Sequence, residues 1–149
     1  MPNMPELKGI HHLKIPVSNL GVSLDFYQRA LGARRIPEAD HRRPDGSLFA
    51  YILAVPGLGT KLELRLHPLR ARSHAGFDPV TIAIEDRAAL DQWIDYLDEV
   101  GVRHSPAITS IQAWIVVIED PDGTRLRLYT LEKHGPELQP DHGSEWISD

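Results

Sequence analysis

The chain has 149 residues, a net charge of −5 and no cysteine, which excludes disulfides and thiolate chemistry. The acidic balance argues against nucleic acid as a partner, because no excess of basic side chains is available to neutralise phosphates. The N-terminal residues lack the apolar segment of a signal peptide, and no apolar run is long enough to span a membrane, so we expect a cytoplasmic protein with no membrane partner.

Residues 9–32 predict one strand followed by one helix. Apolar residues alternate through the first part of this stretch with the period of a half-buried strand, and then recur at helical spacing. Ser18 or Asn19 supplies a side-chain oxygen suited to the helix N-cap. Gly32 stands where a left-handed C-cap belongs. The stretch is therefore expected to start a strand–helix unit.

Three further strands are predicted to complete this unit, at 33–39, 48–55 and 61–67, with a polar loop at 41–47. Residues 68–78 have the composition of a basic linker. The same plan then returns, with strands predicted at 79–84, 102–108, 111–118 and 124–130 and a helix at 86–100. The expected class is α+β, with mostly antiparallel sheets. The predicted divisions are an arm (1–7), a first module (8–67), a linker (68–77), a second module (78–131) and a tail (132–149).

Two segments resemble motifs of the vicinal oxygen chelate superfamily, which includes glyoxalase, bleomycin-resistance and extradiol-dioxygenase-like proteins. HHLKIPVSNLGVSLDFYQRALG is similar to its opening motif, and DPDGTRLRLYT is similar to its closing motif. The resemblance implies two paired βαβββ modules whose sheets curl around a ligand cleft. In that family the cleft occurs either within one chain or across a dimer, and we expect a homodimer here because exposed sheet edges are usually covered.

Alternation with period two indicates which side chains face the cleft, provided that no bulge reverses the order. The leucines, isoleucines and valines of each strand are expected to pack on the helices. The polar residues between them are left for the ligand. The candidate ligand-binding residues are Lys14, Arg65, Thr81, Trp114, Arg125 and Tyr129, and the candidate catalytic residues are His12, Glu63 and Arg127.

The resemblance also implies where a metal would be held, namely at the positions of His12, Glu63, Pro79 and Arg127. Proline offers no donor atom to a metal, and an arginine stays protonated and repels a cation. We therefore expect no cofactor. The alternative is a divalent metal (Ni, Mn, Fe or Zn) on His12 and Glu63 with help from another histidine. Without a metal, Glu63 would need another positive charge beside it, so we expect Arg127 to form a salt bridge with Glu63 in the cleft.

Two hypotheses for the function follow from these residues. The first is a metal-independent small-molecule binder that favours an anionic or carbonyl-rich ligand, because basic side chains outnumber Glu63 on the predicted cleft face. The second is an enzyme, glyoxalase- or dioxygenase-like. It would either use a divalent metal on His12 and Glu63 or use one of them as a general base, with Arg127 stabilising an enolate. Each residue also has a plainer interpretation, as a hydrogen-bonded strand histidine, a structural ion pair or a solvated charge.

The tail at 132–149 has no clear periodicity. Its composition is compatible with disorder, or with a segment that lies across the cleft or a partner subunit. Trp146 and Ile147 favour the docked alternative, because large apolar side chains are costly to leave in water.

Overall fold

The structure is a computed structural model that describes residues 1–147. The first module is a mixed sheet with one helix. Its elements are β1 (His12–Val17), α1 (Leu20–Leu31), β2 (Arg34–Arg35), β3 (His41–Arg42), β4 (Leu48–Ala54) and β5 (Lys61–Leu66). The strands lie in the order β1–β5–β4–β2, with β3 paired to β4, and β1 runs parallel to β5.

A short helix, α2 (Pro68–Ser73), joins the first module to the second. The elements of the second module are β6 (Val80–Ile84), α3 (Arg87–Glu99), β7 (Ile108–Thr109), β8 (Ala113–Glu119) and β9 (Arg125–Lys133). It repeats the arrangement of the first, with strand order β6–β9–β8–β7 and β6 parallel to β9. Within the described range, no helix combines the length and the apolar character needed to cross a bilayer.

The predicted α+β class with two strand–helix–strand units is confirmed, as is the C-cap at Gly32, and of the two N-cap candidates for α1 it is Asn19 that caps the helix. The Asn19 side chain accepts a hydrogen bond from the backbone N–H of Val22, and Asp86 accepts one from that of Ala89. Gly32 ends α1 with a φ of 66°, a conformation that glycine adopts without steric cost. These caps fix where each helix begins relative to the strand before it.

Two predicted strands were wrong in extent, and the segment between the modules has a helix that its composition did not predict. The segment predicted as a linker contains α2, since the ring Nδ1 of His67 accepts the N–H of Arg70 and Pro68 occupies the first turn. The strand predicted at 33–39 is reduced to β2, followed by a 3₁₀ turn that starts at Pro37. The strand predicted at 102–108 is reduced to β7 and one isolated bridge between His104 and Ile118.

The inner faces of both sheets and both long helices share one apolar core. Leu62 and Leu64 of the first sheet, Leu126 and Leu128 of the second, and Leu90 of α3 belong to the same buried cluster. Each buried leucine contributes about 1.5–3 kcal/mol relative to an exposed one. Because the inner faces meet in this core, the outer faces of the two sheets point away from it.

A buried polar contact connects the modules. Tyr27 of α1 donates its hydroxyl to Oδ2 of Asp120 at 2.9 Å, and Asp120 lies in the turn between β8 and β9. The other oxygen of Asp120 accepts the backbone N–H groups of Asp122 and Thr124 at 2.9 and 3.0 Å. This carboxylate therefore orders the turn and anchors it to the first module.

The described part of the tail lies on the outer face of the second sheet. Trp146 and Ile147 pack against a small buried cluster of Ile108, Ile115 and Val117. Arg125 donates to the backbone carbonyls of Glu145 and Trp146, and its guanidinium lies 5.1 Å from the Trp146 ring centroid. The docked alternative for the tail is thus the arrangement seen over residues 134–147, and the last two residues of the predicted tail, 148 and 149, lie outside the described part of the chain.

The Asp120 contact predicts a specific pH dependence of stability. Burial raises the pKa of Asp120 from 3.8 to about 6, although hydrogen bonds from Tyr27 and the backbone oppose the rise. The folded state then binds the proton more tightly than the unfolded state, so this group's stabilising contribution is greatest below pH 3.8 and is lost as the pH rises through about 6. The loss from about pH 5 to pH 7 should be about 1 kcal/mol.

We expect Asp120→Asn to remove this part of the pH dependence, because the amide oxygen can still accept the two backbone N–H groups and the amide NH2 can donate to the Tyr27 oxygen, without a charge. The measurement is the free energy of unfolding from urea titrations of the wild type and the variant at several pH values. An unchanged slope in the variant would assign the pH dependence to other groups.

Candidate functional site

The candidate site lies on the outer face of the first sheet, around a buried carboxylate. Glu63 of β5 is fully buried, and its Oε2 accepts a hydrogen bond from Nε of Arg65 at 2.7 Å. A carboxylate removed from water needs such a charged partner, because burial without one costs several kcal/mol. The two side chains lie two residues apart on one strand and therefore share a face, as period two predicts.

Two histidines approach the other oxygen of Glu63. Nε2 of His12 lies 3.3 Å from Oε1 and Nε2 of His41 lies 3.6 Å from it. Within the described residues, Oε1 is buried and has no hydrogen bond of good geometry. The site thus combines a carboxylate, a guanidinium and two imidazoles in one cluster.

His41 is the functional candidate that the sequence analysis missed. It lies in the segment predicted as a polar loop, but β3 pairs with β4 so that His41 stands opposite Ala50. Asp45 accepts the N–H of Ser47 and closes the turn between the two strands. The Pro-Asp-Gly sequence of this turn was the available signal, because a tight turn places the residues on either side of it in register.

Phe49 adds an aromatic surface to the same face. Its ring is contacted by the guanidinium groups of Arg65 and Arg43, whose carbons lie 4.9 and 5.2 Å from the ring centroid. The His41 ring lies edge-on to it, with centroids 5.6 Å apart. Arginine over an aromatic ring is favourable by about 0.5–1 kcal/mol at an exposed site. The surface therefore offers both positive charge and a stacking platform.

The structure does not place Arg127 against Glu63, so the predicted salt bridge within the chain is wrong. Arg127 belongs to β9 in the second sheet and forms an ion pair with Asp78. β6 pairs with β9 so that Thr81 stands opposite Arg127, and Asp78 comes just before β6. A carboxylate close to the same strand pair thus supplies the counter-charge. Within the chain, Arg127 therefore lies apart from His12 and Glu63.

The other predicted residues divide between the two sheets. Lys14 and Arg65 line one cavity beside the first sheet, whereas exposed Thr81 lies on the second. Arg125 and Tyr129 lie on the outer face of the second sheet, where the tail contacts them. Trp114 packs instead against the inner core, because it shares a face of β8 with Val116 and Ile118, and this position does not favour the predicted role in ligand stacking.

The metal positions implied by the sequence resemblance do not form a fitting ligand set. His12 and Pro79 are equivalent positions, because each stands seven residues before the N-cap of the helix in its module. Glu63 and Arg127 are equivalent as well, because each pairs with the residue that stands five before that N-cap, Lys14 in the first module and Thr81 in the second. The second module thus has a proline and an arginine at the positions where the first module has a histidine and a glutamate. Among residues 1–147, no group of three or more histidines, aspartates or glutamates is arranged to hold a metal ion.

A second cavity, of about 300 Å³, lies between the modules and lacks comparable chemistry. Its walls come from the turn after β4, the end of β6 and the start of α3. Apart from Glu85, its lining side chains carry no charge, and most are apolar, including Leu31, Val55 and Trp93. The charged cluster around Glu63 is therefore the stronger candidate site.

Comparisons with known proteins agree with the fold. The chain is similar to the putative ring-cleaving dioxygenase MhqA of Bacillus subtilis (strain 168), with 27% identity over 134 residues. The match covers 87% of this chain but only 42% of MhqA, so the chain spans less than half the length of that relative.

Two solved structures illustrate the shared fold. TnmS3, an antibiotic binding protein from Streptomyces sp. CB03234, has a TM-score of 0.66 at 22% identity, with 85% of this chain and 98% of that chain covered. A mutant of the fosfomycin resistance protein FosX from Listeria monocytogenes, complexed with Mn(II) and 1S,2S-dihydroxypropylphosphonic acid, has a TM-score of 0.64 at 15% identity. That match covers 83% of this chain and 90% of FosX.

The family model of the Glyoxalase/Bleomycin resistance protein/Dioxygenase superfamily matches residues 9–128, which span both modules. The chain therefore belongs to this superfamily.

Proposed function

We propose that this protein binds an anionic or carbonyl-rich small molecule on the outer face of the first sheet, without a resident metal. The observation that carries the proposal is the cluster of Glu63, Arg65 and Phe49, in which one carboxylate is already neutralised while stacked guanidinium groups remain accessible. Ligand sites generally combine apolar walls with a few placed polar groups. TnmS3 shares the fold, and its description as an antibiotic binding protein is compatible with a binding role.

Charge is the reason for favouring an anionic ligand. Lys14, Arg43 and Arg65 surround this face, and among residues 1–147 only Arg65 of these three forms an ion pair. An incoming carboxylate, phosphate or polarised carbonyl oxygen would meet donors on several sides. Guanidinium groups bind such planar or tetrahedral oxyanions through paired hydrogen bonds.

The charge at the second module supports the metal-free form. If the equivalent positions of a second module completed a metal centre with His12 and Glu63, they would bring Pro79 and Arg127. A like-charge contact at about 4 Å costs roughly 4 kcal/mol at an effective dielectric near 20. Arg127 therefore disfavours a divalent cation at that place, by less than this figure because Asp78 partly neutralises its charge.

The alternative is a divalent-metal enzyme of the glyoxalase or dioxygenase type. It is favoured by Oε1 of Glu63, which lies beside the imidazoles of His12 and His41 and accepts no hydrogen bond from the described residues. The resemblance to MhqA, a putative ring-cleaving dioxygenase, points the same way. To hold the metal, His12, Glu63 and His41 would have to rearrange, because the described residues include no metal-binding group of three; the metal would then polarise vicinal oxygens of the substrate. His41 has the support typical of a ligand, since its Nδ1 contacts the carbonyl oxygen of Ala39 at 3.0 Å.

The two functions differ in a metal-binding experiment. For the metal-free protein we expect substoichiometric metal by elemental analysis and no rise in Tm when Ni²⁺, Mn²⁺, Fe²⁺ or Zn²⁺ is added, since only a bound ion stabilises the fold. Stoichiometric metal that is lost in Glu63→Gln, but retained in the exposed-histidine control His142→Ala, would replace the metal-free proposal with the enzyme.

The ligand proposal is tested with a panel of aromatic carboxylates, phosphonates and vicinal diketones. We expect at least one class to raise the Tm of the wild type and to bind saturably by calorimetry. Phe49→Ala should weaken that binding about tenfold, because aromatic contacts contribute about 0.5–1.5 kcal/mol. The control Ile111→Ala alters an exposed apolar side chain of the second module and should leave the affinity unchanged. Equal affinities of the wild type and Phe49→Ala would show that the ligand does not bind on this face.

We further propose a homodimer whose ligand site lies across the subunits. β1 and β6 are sheet edges that each pair with one strand of the chain, and unpaired edges favour pairing with another copy. The outer faces of the two sheets point away from the common core, so a cleft between a first and a second module would need a second chain.

Light scattering at micromolar concentration should therefore give about twice the chain mass of 16.7 kDa. Thr81→Lys places a charge on the exposed edge strand β6 and should weaken the dimer. Glu99→Lys, at the exposed end of α3, serves as the control. A monomeric wild type would contradict the dimer, and a dimer insensitive to Thr81→Lys would contradict its formation through this edge.

A further inference from the structure

A small cavity beside the first sheet has an unusual concentration of basic groups. It has a volume of about 260 Å³ and lies where the outer face of β1 and β5 meets α2. No carboxylate is among its lining residues, which are Lys14, Pro16, Arg65, His67, Arg70 and His74. The distant strand β1 and the consecutive segment from β5 to α2 thus direct basic side chains to one place.

The charges of this cavity are only partly compensated. Lys14, Arg65 and Arg70 carry three positive charges, and Glu63 neutralises one of them through its ion pair with Arg65. Over residues 1–147, Lys14 and Arg70 form no ion pair with any carboxylate. Two positive charges therefore remain, which matches the charge of a dianion.

The two histidines add hydrogen-bonding groups that do not depend on a positive charge. Nδ1 of His67 accepts the N–H of Arg70 at 3.2 Å, so the neutral imidazole carries its proton on Nε2 and can donate it. Nδ1 of His74 is buried and has no hydrogen-bond partner within the described residues. A buried polar atom without a partner is costly, and an oxyanion in the cavity would be a suitable one.

We propose that this cavity is a subsite for a tetrahedral dianionic group, a phosphate, phosphonate or sulfate, on the ligand. This inference rests on the proposed function and specifies the ligand class. A volume near 260 Å³ is below the usual range for a whole drug-sized ligand and suits its anionic end. Arg65 lines the cavity and also stacks on Phe49, so the remainder of the ligand would lie over that ring.

The test is an NMR titration with inorganic phosphate, methylphosphonate, sulfate and acetate at constant ionic strength. We expect saturable shifts with the three tetrahedral anions and binding at least tenfold weaker for acetate. Lys14→Gln and Arg70→Gln should each weaken phosphate binding about fivefold, which corresponds to losing roughly 1 kcal/mol of charge interaction at an exposed side chain. Equal affinities for the three tetrahedral anions would show that the subsite recognises their common shape and charge. A higher affinity for one of them would identify the group that the ligand carries.

Arg72→Gln is the matched control, because Arg72 belongs to the same helix but does not line the cavity. Its phosphate affinity should stay within about twofold of the wild type. Equal weakening by Arg72→Gln and Arg70→Gln would indicate unspecific charge attraction and overturn the subsite. If phosphate fails to bind while a ligand from the panel still binds in a Phe49-dependent manner, the subsite is wrong and the proposed function stands. If neither binds, both fail.

Discussion

The single apolar core shared by the two modules determines the rest of the structure. Both sheets cover it with their inner faces, and α1 and α3 contribute to it from the two repeats. Burial on this scale is the main favourable term in folding, so the orientation of each strand follows from which side chains must enter the core. The polar side chains between them are consequently placed on the outer faces. The core thus determines on which faces of the sheets polar and charged side chains can contact a ligand.

On the first outer face, a single buried charge organises its neighbours. Glu63 cannot lose contact with water without a counter-charge, and Arg65 supplies it from the same strand. This use of Arg65 fixes its guanidinium near Phe49, while His12 and His41 are drawn to the remaining oxygen. A ligand that reached this face would therefore meet a pre-arranged set of groups, which lowers the entropy lost on binding.

Much of this could be predicted from the sequence because the determining signals are local. Helix caps at Asn19 and Asp86 and the alternation in β1, β5 and β9 depend on residues a few positions apart. The partners of charged side chains could not be predicted, since they depend on which carboxylate lies nearest in space. Asp78 is such a case: it precedes β6, and the parallel pairing of that strand with β9 makes it the partner of Arg127. His41 was missed because a strand of two residues has no periodicity to detect.

The two modules keep one backbone plan but differ in what their outer faces carry. In the first module, the face holds an accessible cluster of charge and aromatic surface. In the second, the tail covers an apolar cluster, and Arg125 is occupied with the carbonyls of Glu145 and Trp146. The positions equivalent to His12 and Glu63 hold Pro79 and Arg127, which cannot act as metal ligands. The outer face of one copy can thus carry charged and aromatic side chains while that of the other packs against the tail, because the shared core constrains only the inner faces.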